Sequence, residues 1–576
     1  MPPFSIRGFR SLMRDEDGNI AILFGATVIP LILFLGGAVD ITRYNRHKTD
    51  LANALDAAAL SLGRQGMDMT EAQAKVFITD HIAASGVYGD EDFSLVDYTV
   101  TKTEKGFYVD ADATMNTMFL PLTSLDGTSP LNTMQVNVDA EVVHSSNRIE
   151  LALVIDNTGS MNCGATLSSS CTTNWSNPSS SSRIKSVKLA AKTLVDTLMH
   201  DDLEIQDQIK IALVPFEGMV NVASTGFSVT SPPSWIAWTD QGKTTWDGTN
   251  FDQYAFGGSI GTKTVGHKWL FNKLTANDSS VKWAGCVEMR AGAYELSDAT
   301  PDTTIPDSLY VPFFWPDEPD DGSGSGSYNN NGSGSYTNNY LSDKSNYRTS
   351  GNEDPAKAQK GLTKYTSITW QSGKKDTSPP YESGPNTGCP QAISPLRNAA
   401  SKAAIKTSID AMIAYPATGT FIPTGLIWGW HVVSPGIPYT EGLKPGDEYY
   451  ENTVKAIVLF TDGDNSVTGI SSHNKSYFNA FNYVSRNRMG TTTSADTATD
   501  NLDTKTSTLC ENVKGGGIRL YTISFGTMST SSQTMMRNCA TLDKGARLYW
   551  HAPSTSDLGD IFNEIGEDLS EIHLSM

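Results

Sequence analysis

Two short, almost unbroken apolar runs, each halted by an acidic motif, restrict this chain more than any other feature. Residues 149–155 read I-E-L-A-L-V-I and stop at Asp156, followed by N-T-G-S-M. Residues 454–460 read V-K-A-I-V-L-F and stop at T-D-G, residues 461–463. A third run, I-R-L-Y-T-I-S-F, follows the triple glycine at 515–517. Strands this short and apolar, separated by helix-patterned stretches, predict an α/β fold with a doubly wound parallel sheet covered on both faces. Helices are expected over 183–199, 396–414, 424–433, 499–514 and 558–572, the first capped by the serine-rich stretch before Arg183. In such folds ligands gather at the carboxyl ends of the strands, where both acidic motifs fall.

The chemistry of those ends favours a hard cation. Magnesium takes about six oxygens and keeps some of its waters, so a few carboxylates and several hydroxyls suit it. D-N-T-G-S supplies Asp156, Thr158 and Ser160 in one loop, with Gly159 expected to permit a tight turn. This resembles the D-x-S-x-S element of the metal-ion-dependent adhesion site of von Willebrand factor A domains. The resemblance implies a von Willebrand A (Rossmann-like) sheet over residues 147–576, with an insertion at about 220–390. It implies direct coordination by the Thr158 and Ser160 hydroxyls, and contacts through water from Asp156 and Asp462. The family's separate threonine matches Thr420, in T-G-T-F-I-P-T-G-L. Thr158 stands where serine is commoner and keeps the hydroxyl. The implied ion is Mg²⁺, or Ca²⁺ or Mn²⁺, with a coordination position left open for a partner's carboxylate.

Residues 19–39 carry no charge over about twenty positions, the length of a membrane-crossing helix, and Pro30 is tolerated there. The run is long for a signal peptide, so an uncleaved anchor is expected. Arginines and lysines balance on its two sides, leaving orientation to the cysteines: six of them could form three disulfides if the large C-terminal part is exported. Residues 1–18 would then be a cytoplasmic tail and 40–66 a helical stalk. D-G-N-I-A-I-L-F, Pro30, G-G-A-V-D and D-A-A-A-L resemble the N-terminal segment (17–64) of TadG-like Flp (tight adherence) pilus-assembly proteins. Leu23 stands five residues after Gly18, where pseudopilins have glutamate, which argues against processing as a pilin. Residues 67–146 pattern as a helix over 69–86, a hairpin turning at Lys105-Gly106 and a further strand, a small α+β module.

A balance of 43 basic to 63 acidic residues, net −20, repels phosphate backbones and argues against nucleic acid. No C-x-x-C pair or zinc-finger spacing occurs. Locality pairs Cys163 with Cys171, Cys286 with Cys389, and Cys510 with Cys539. The insertion holds a Gly/Ser/Asn-rich core after W-P-D-E-P-D-D-G (315–322), which reads as a solvated acidic turn. The aromatics Trp283, Phe313, Phe314 and Trp315 are expected to pack the insertion onto the domain. No H-E-x-x-H, G-x-S-x-G or P-loop is present, and S-R-I-K at 182–185 lacks the companion motifs of penicillin-recognising enzymes. The expected role is therefore non-enzymatic: a single-pass inner-membrane protein with a periplasmic domain that holds a pilus or envelope partner through a cation. The alternatives are a scaffold without metal-dependent binding and a metal-dependent hydrolase.

Overall fold

The computed structural model describes residues 19–65, 69–86, 92–102, 106–123, 132–143, 148–164, 178–179, 181–199, 208–224, 230–238, 251, 266–320, 336–343, 355–375, 379, 381–414 and 418–574. The chain divides into two units, meeting in sequence at Ser146 and Asn147.

The first unit is organised by one long helix, α1 (Asn19–Gln65), which contains Pro30. It is long and apolar enough to cross a membrane, and Leu23, Phe24, Leu31, Ile32, Phe34 and Leu35 stand exposed along its first half. Its second half is not a free stalk. Leu51, Leu55, Ala58, Ala59 and Leu62 recur at helical spacing, and that stripe is buried in a core of its own. An apolar face of this width needs a partner, which the antiparallel sheet of β1 (Phe93–Lys102), β2 (Gly106–Asn116) and β3 (Thr133–Val143) provides. Phe107, Val109, Ala111, Ala113 and Met115 alternate inward from β2. The β1–β2 hairpin is as expected, although Lys105 of its turn lies outside the described residues. Helix α2 (Glu71–Ala84) is started by a capping box between Thr70 and Gln73.

The second unit is built on a six-stranded sheet. Its strands are β4 (Arg148–Asp156), β5 (Ile209–Phe216), β8 (Ser394–Arg397), β9 (Thr453–Thr461), β10 (Arg519–Phe525) and β11 (Tyr549–Ala552). They lie in the order β11-β10-β9-β4-β5-β8, all parallel except the edge strand β8. Successive residues of β4 face opposite cores. Leu151, Leu153 and Ile155 join Ile184, Val187 and Leu194 of α3 (Arg183–Leu198) on one side. Helices α5 (Lys402–Asp410) and α9 (Thr555–Leu574) complete that layer. Ala152 and Val154 join Leu426 and Ile427 of α6 (Ile422–Val433) on the other, with α7 (Ala495–Gly515) and α8 (Thr530–Cys539) beside it. A helix from 396 is not formed: Leu396 belongs to β8, so α5 starts only at Lys402.

The insertion leaves β5 through β6 (Val220–Asn221), passes helix α4 (His267–Asn277) and β7 (Cys286–Val287), and returns to β8. Trp283, Phe313, Phe314 and Trp315 are buried in the same core as α6, as expected. Most of the low-complexity core lies outside the described residues. The acidic turn departs from expectation. Asp317 and Glu318 are fully buried, and Asp320 and Asp343 nearly so. Lys364 Nζ lies 2.7 Å from Asp317 and 3.3 Å from Asp343. Glu318 accepts the N–H groups of Thr337 and Asn338 at 2.8 and 3.0 Å and the Tyr483 hydroxyl at 3.1 Å. The charges are tolerated inside because each is answered, by a cation or by hydrogen-bond donors. Burial alone would lower the Lys364 ammonium, but Asp317 and Asp343 outweigh it and hold it above the ordinary lysine range.

Disulfides join Cys286 to Cys389 and Cys510 to Cys539, as expected. Cys171, the expected partner of Cys163, lies outside the described residues.

On α6, burial and then the Arg290 guanidinium hold His431 well below the usual histidine range. The Tyr310 hydroxyl is its hydrogen-bond partner. Below about pH 6.5 the unfolded chain takes up a proton there that the folded chain refuses, so this site's contribution to stability falls as pH drops. His431→Gln should flatten the acid limb of the stability profile by up to about 1.4 kcal/mol per pH unit. Urea midpoints measured through that range would check it, and parallel profiles for the two proteins would refute it.

Candidate metal centre

The three motif segments meet at the carboxyl end of the parallel sheet. β4 and β9 are adjacent, with Ile155 opposite Phe460, so the residues that follow them emerge side by side. Asp156 is fully buried; its carboxylate accepts the Thr158 N–H at 2.8 Å and the Thr461 hydroxyl at 2.7 Å. Thr158 stands at the N-cap position of a 3₁₀ turn, Gly159–Asn162, without capping it. Its hydroxyl instead lies 3.0 Å from that of Ser160. Ser160 donates to Asp462 at 2.7 Å, and the Thr420 hydroxyl is 3.5 Å from that of Thr158. All five residues expected from the sequence are thus brought together. Gly463 belongs to the same cluster: a Cβ there would lie 3.7 Å from the Thr420 hydroxyl and 3.9 Å from that of Ser160.

Glycine matters at a different place from the one expected. Gly159 opens the 3₁₀ turn with no positive φ, whereas Gly419 has φ +115°. A Cβ at Gly419 would meet the Ser466 carbonyl at 2.2 Å, so only glycine lets Thr420 approach. The approach is then locked. Ser466 N–H donates to the Thr420 carbonyl at 2.9 Å, and Ile422 N–H donates to the Asn465 side chain at 2.9 Å.

Two further groups act here that sequence reasoning missed. Thr461, one residue before Asp462, grips Asp156; the two follow the paired residues Phe460 and Ile155 and so fall on the same face of the sheet. Arg183, the first residue of α3, is nearly buried and donates to Asp462 at 2.8 Å. No local signal announces that contact, which spans 279 positions.

One guanidinium against two buried carboxylates leaves the cluster with negative charge in excess. Burial, and then the neighbouring Asp462 carboxylate, push Asp156 up to about 7. Burial raises Asp462 too, against the pull of Arg183 and Ser160. The donor set is all oxygen: two carboxylates and three hydroxyls. Among the described residues no group of three or more His, Cys, Asp or Glu side chains is placed to hold a metal. Any ion here would therefore depend on the hydroxyls. A hard divalent cation fits this set, since it matches oxygen donors and offsets the excess charge.

Residues 18–63 match the model of the family described as "Putative Flp pilus-assembly TadE/G-like". No curated protein matches the chain. Among solved structures, the pilus adhesin SpaC from Lactobacillus rhamnosus GG is similar at 11% identity and a TM-score of 0.28, over 84% of this chain. This chain spans only 35% of that adhesin's length. Proximal thread matrix protein 1 from the mussel byssus is similar at 16% identity and a TM-score of 0.19, over 30% of this chain and 33% of that one. A form of it described as having a zinc-occupied MIDAS motif matches at 14% identity and a TM-score of 0.17, over 73% of this chain and 96% of that one.

Proposed function

We propose that this is a TadG-like Flp pilus-assembly protein whose second unit is a von Willebrand A-type domain binding a divalent cation and, through it, a carboxylate of a pilus or envelope partner. One observation carries the reading: the Thr158 hydroxyl lies against those of Ser160 and of Thr420, 262 positions away, and Ser160 donates to the buried Asp462 carboxylate. Thr158, Ser160 and Thr420 would hold the ion directly, while Asp156 and Asp462 would hold its waters. The ion supplies a positive site that an acidic partner residue can complete. Arg183 and Thr461 position the two carboxylates. Both carboxylates are already engaged by donors, Asp156 by the Thr158 N–H and the Thr461 hydroxyl and Asp462 by Ser160 and Arg183, which favours adhesion over hydrolysis. Helix α1 would anchor the chain in the bacterial inner membrane with the second unit in the periplasm, a compartment in which its disulfides persist.

Full-length protein in detergent should gain stability from Mg²⁺, by about 2.7 kcal/mol at a hundredfold excess over Kd. Asp156→Asn and Ser160→Ala should lose most of that gain while keeping the wild-type circular dichroism. Thermal melts with Mg²⁺ and with EDTA read the difference. Equal melts in wild-type protein would remove the metal from the proposal. Pull-downs from envelope extract, with the same variants and the same two conditions, test whether partner binding follows the ion.

A further inference from the structure

Within the first unit, the turn after β2 is clamped onto α1 at the level where its apolar half ends. The twenty-one residues of 19–39 rise about 31 Å as a helix, close to the thickness of a hydrocarbon core. Gly36 and Gly37 lie at the far end of that rise. A Cβ at Gly36 would fall 2.5 Å from the Phe119 side chain, and one at Gly37 would fall 3.7 Å from Leu120. The missing side chains are what allow the turn to lie against the helix. One turn further, Asp40 is fully buried and accepts the N–H groups of Met118, Phe119 and Leu120 at 3.0, 2.8 and 2.9 Å. Three consecutive N–H groups that would otherwise need water are satisfied by one carboxylate. At the same level Val39, Ile41 and Met118 are exposed, Met118 by 58%. Arg43, one turn beyond Asp40, is paired with Asp92 at 3.0 Å, and Arg46 stands exposed.

We propose that the apolar turn Met118–Leu120 is a membrane-interface finger, seated at the acyl–headgroup boundary of the leaflet where α1 leaves the bilayer. The inference rests on the reading of α1 as a membrane anchor. Exposed apolar side chains at that depth meet acyl chains, and a backbone free of unsatisfied N–H groups can enter where water is scarce. Arg43 and Arg46 then fall at headgroup level. The occupant is lipid rather than protein because the patch continues the apolar surface of the spanning segment itself. The consequence is mechanical: the α+β module is seated on the bilayer, not held away from it.

The test uses full-length protein in phosphatidylethanolamine–phosphatidylglycerol vesicles, with a bimane fluorophore on a single introduced thiol. Met118→Cys reports the finger, Phe34→Cys the spanning helix, and Ser94→Cys, on β1, the aqueous face. Lipids brominated near the headgroup should quench most of the emission at position 118 and little at 94. Lipids brominated deep in the chains should quench position 34. Quenching at 34 without quenching at 118 would overturn the finger and leave the anchor standing. Quenching at neither would overturn both. A blue-shifted but unquenched label at 118 would mean that protein covers the turn, and would also overturn the proposal. Asp40→Ala should release the turn, abolishing quenching at 118 and sparing 34; unchanged quenching at 118 would remove Asp40 from the clamp.

Discussion

Lys364→Met is expected to lower the stability of the second unit by about 3–5 kcal/mol at neutral pH, the usual cost of stranding a buried charge. Lys364 is 1% exposed and reaches both Asp317 and Asp343, so its loss leaves two carboxylates inside with no cation. The methionine fills much the same volume, and lost packing is therefore a minor part of the effect. The loss should also depend on pH in a definite direction. Burial raises Asp317 even against the pull of the ammonium; without Lys364 it rises further, and the folded variant holds a proton that the unfolded chain releases. Stability of the variant relative to wild type should then recover as pH falls, because the folded variant binds that proton the more tightly. Urea midpoints followed by tryptophan fluorescence would show both the drop and its recovery. The surface pair Lys375–Asp278 provides the control, since Lys375→Met should leave the midpoint unchanged. A deficit below about 1 kcal/mol at Lys364, or one that grows in acid, would show that the network is not what holds the insertion together.

That network also marks where reading the sequence stops. The turn at 315–320 looks like a solvated loop because its own residues are acidic and proline-rich. Its burial is decided by Lys364, 47 positions later, and by donors on Tyr483 and Asn474. Pairing at that distance leaves no local pattern. The parallel strands β4 and β9 were legible because each carries apolar residues on both faces, which few other structures permit. β5 was not: Pro215 breaks its apolar run near the end, although Ile209–Phe216 pairs with β4 along its length. The five expected centre residues converge because the paired ends of β4 and β9 fix four of the positions and Gly419 fixes Thr420. Arg183 escaped notice, since a helix-starting arginine has no sequence feature that distinguishes an ion pair from a solvated one. For the second half of α1 the helix was legible and its covering was not. Its alanine–leucine stripe was seen, but a helix alone cannot show which surface will cover that stripe.

Removing the Cys286–Cys389 bond should be the costliest change to the insertion that leaves every charge in place. With both cysteines replaced by alanine, the loop-closure relation for a separation of 103 gives a loss of about 4.7 kcal/mol. The same change at Cys510 and Cys539, separated by 29, gives about 3.6 kcal/mol. The order matters more than either figure, because the longer loop gains more freedom in the unfolded chain. The position of the bond explains why the insertion would feel it. Cys286 lies in β7, whose partner strand β6 contains Asn221, and the Asn221 side chain donates to the Pro390 carbonyl beside Cys389. Both ends of the long excursion are therefore fastened within a few residues of the exit from β5, and the segment between them includes Trp315, Asp317 and Lys364. Opening the bond should raise proteolysis between the two cysteines before it affects the sheet, since β4, β9 and β10 make no use of it. Limited proteolysis and urea unfolding of the two double variants measure both effects. If the 510–539 variant proves the less stable, or if cleavage starts in the sheet, the insertion is held by its buried charges and aromatic packing, and the disulfide is incidental to it.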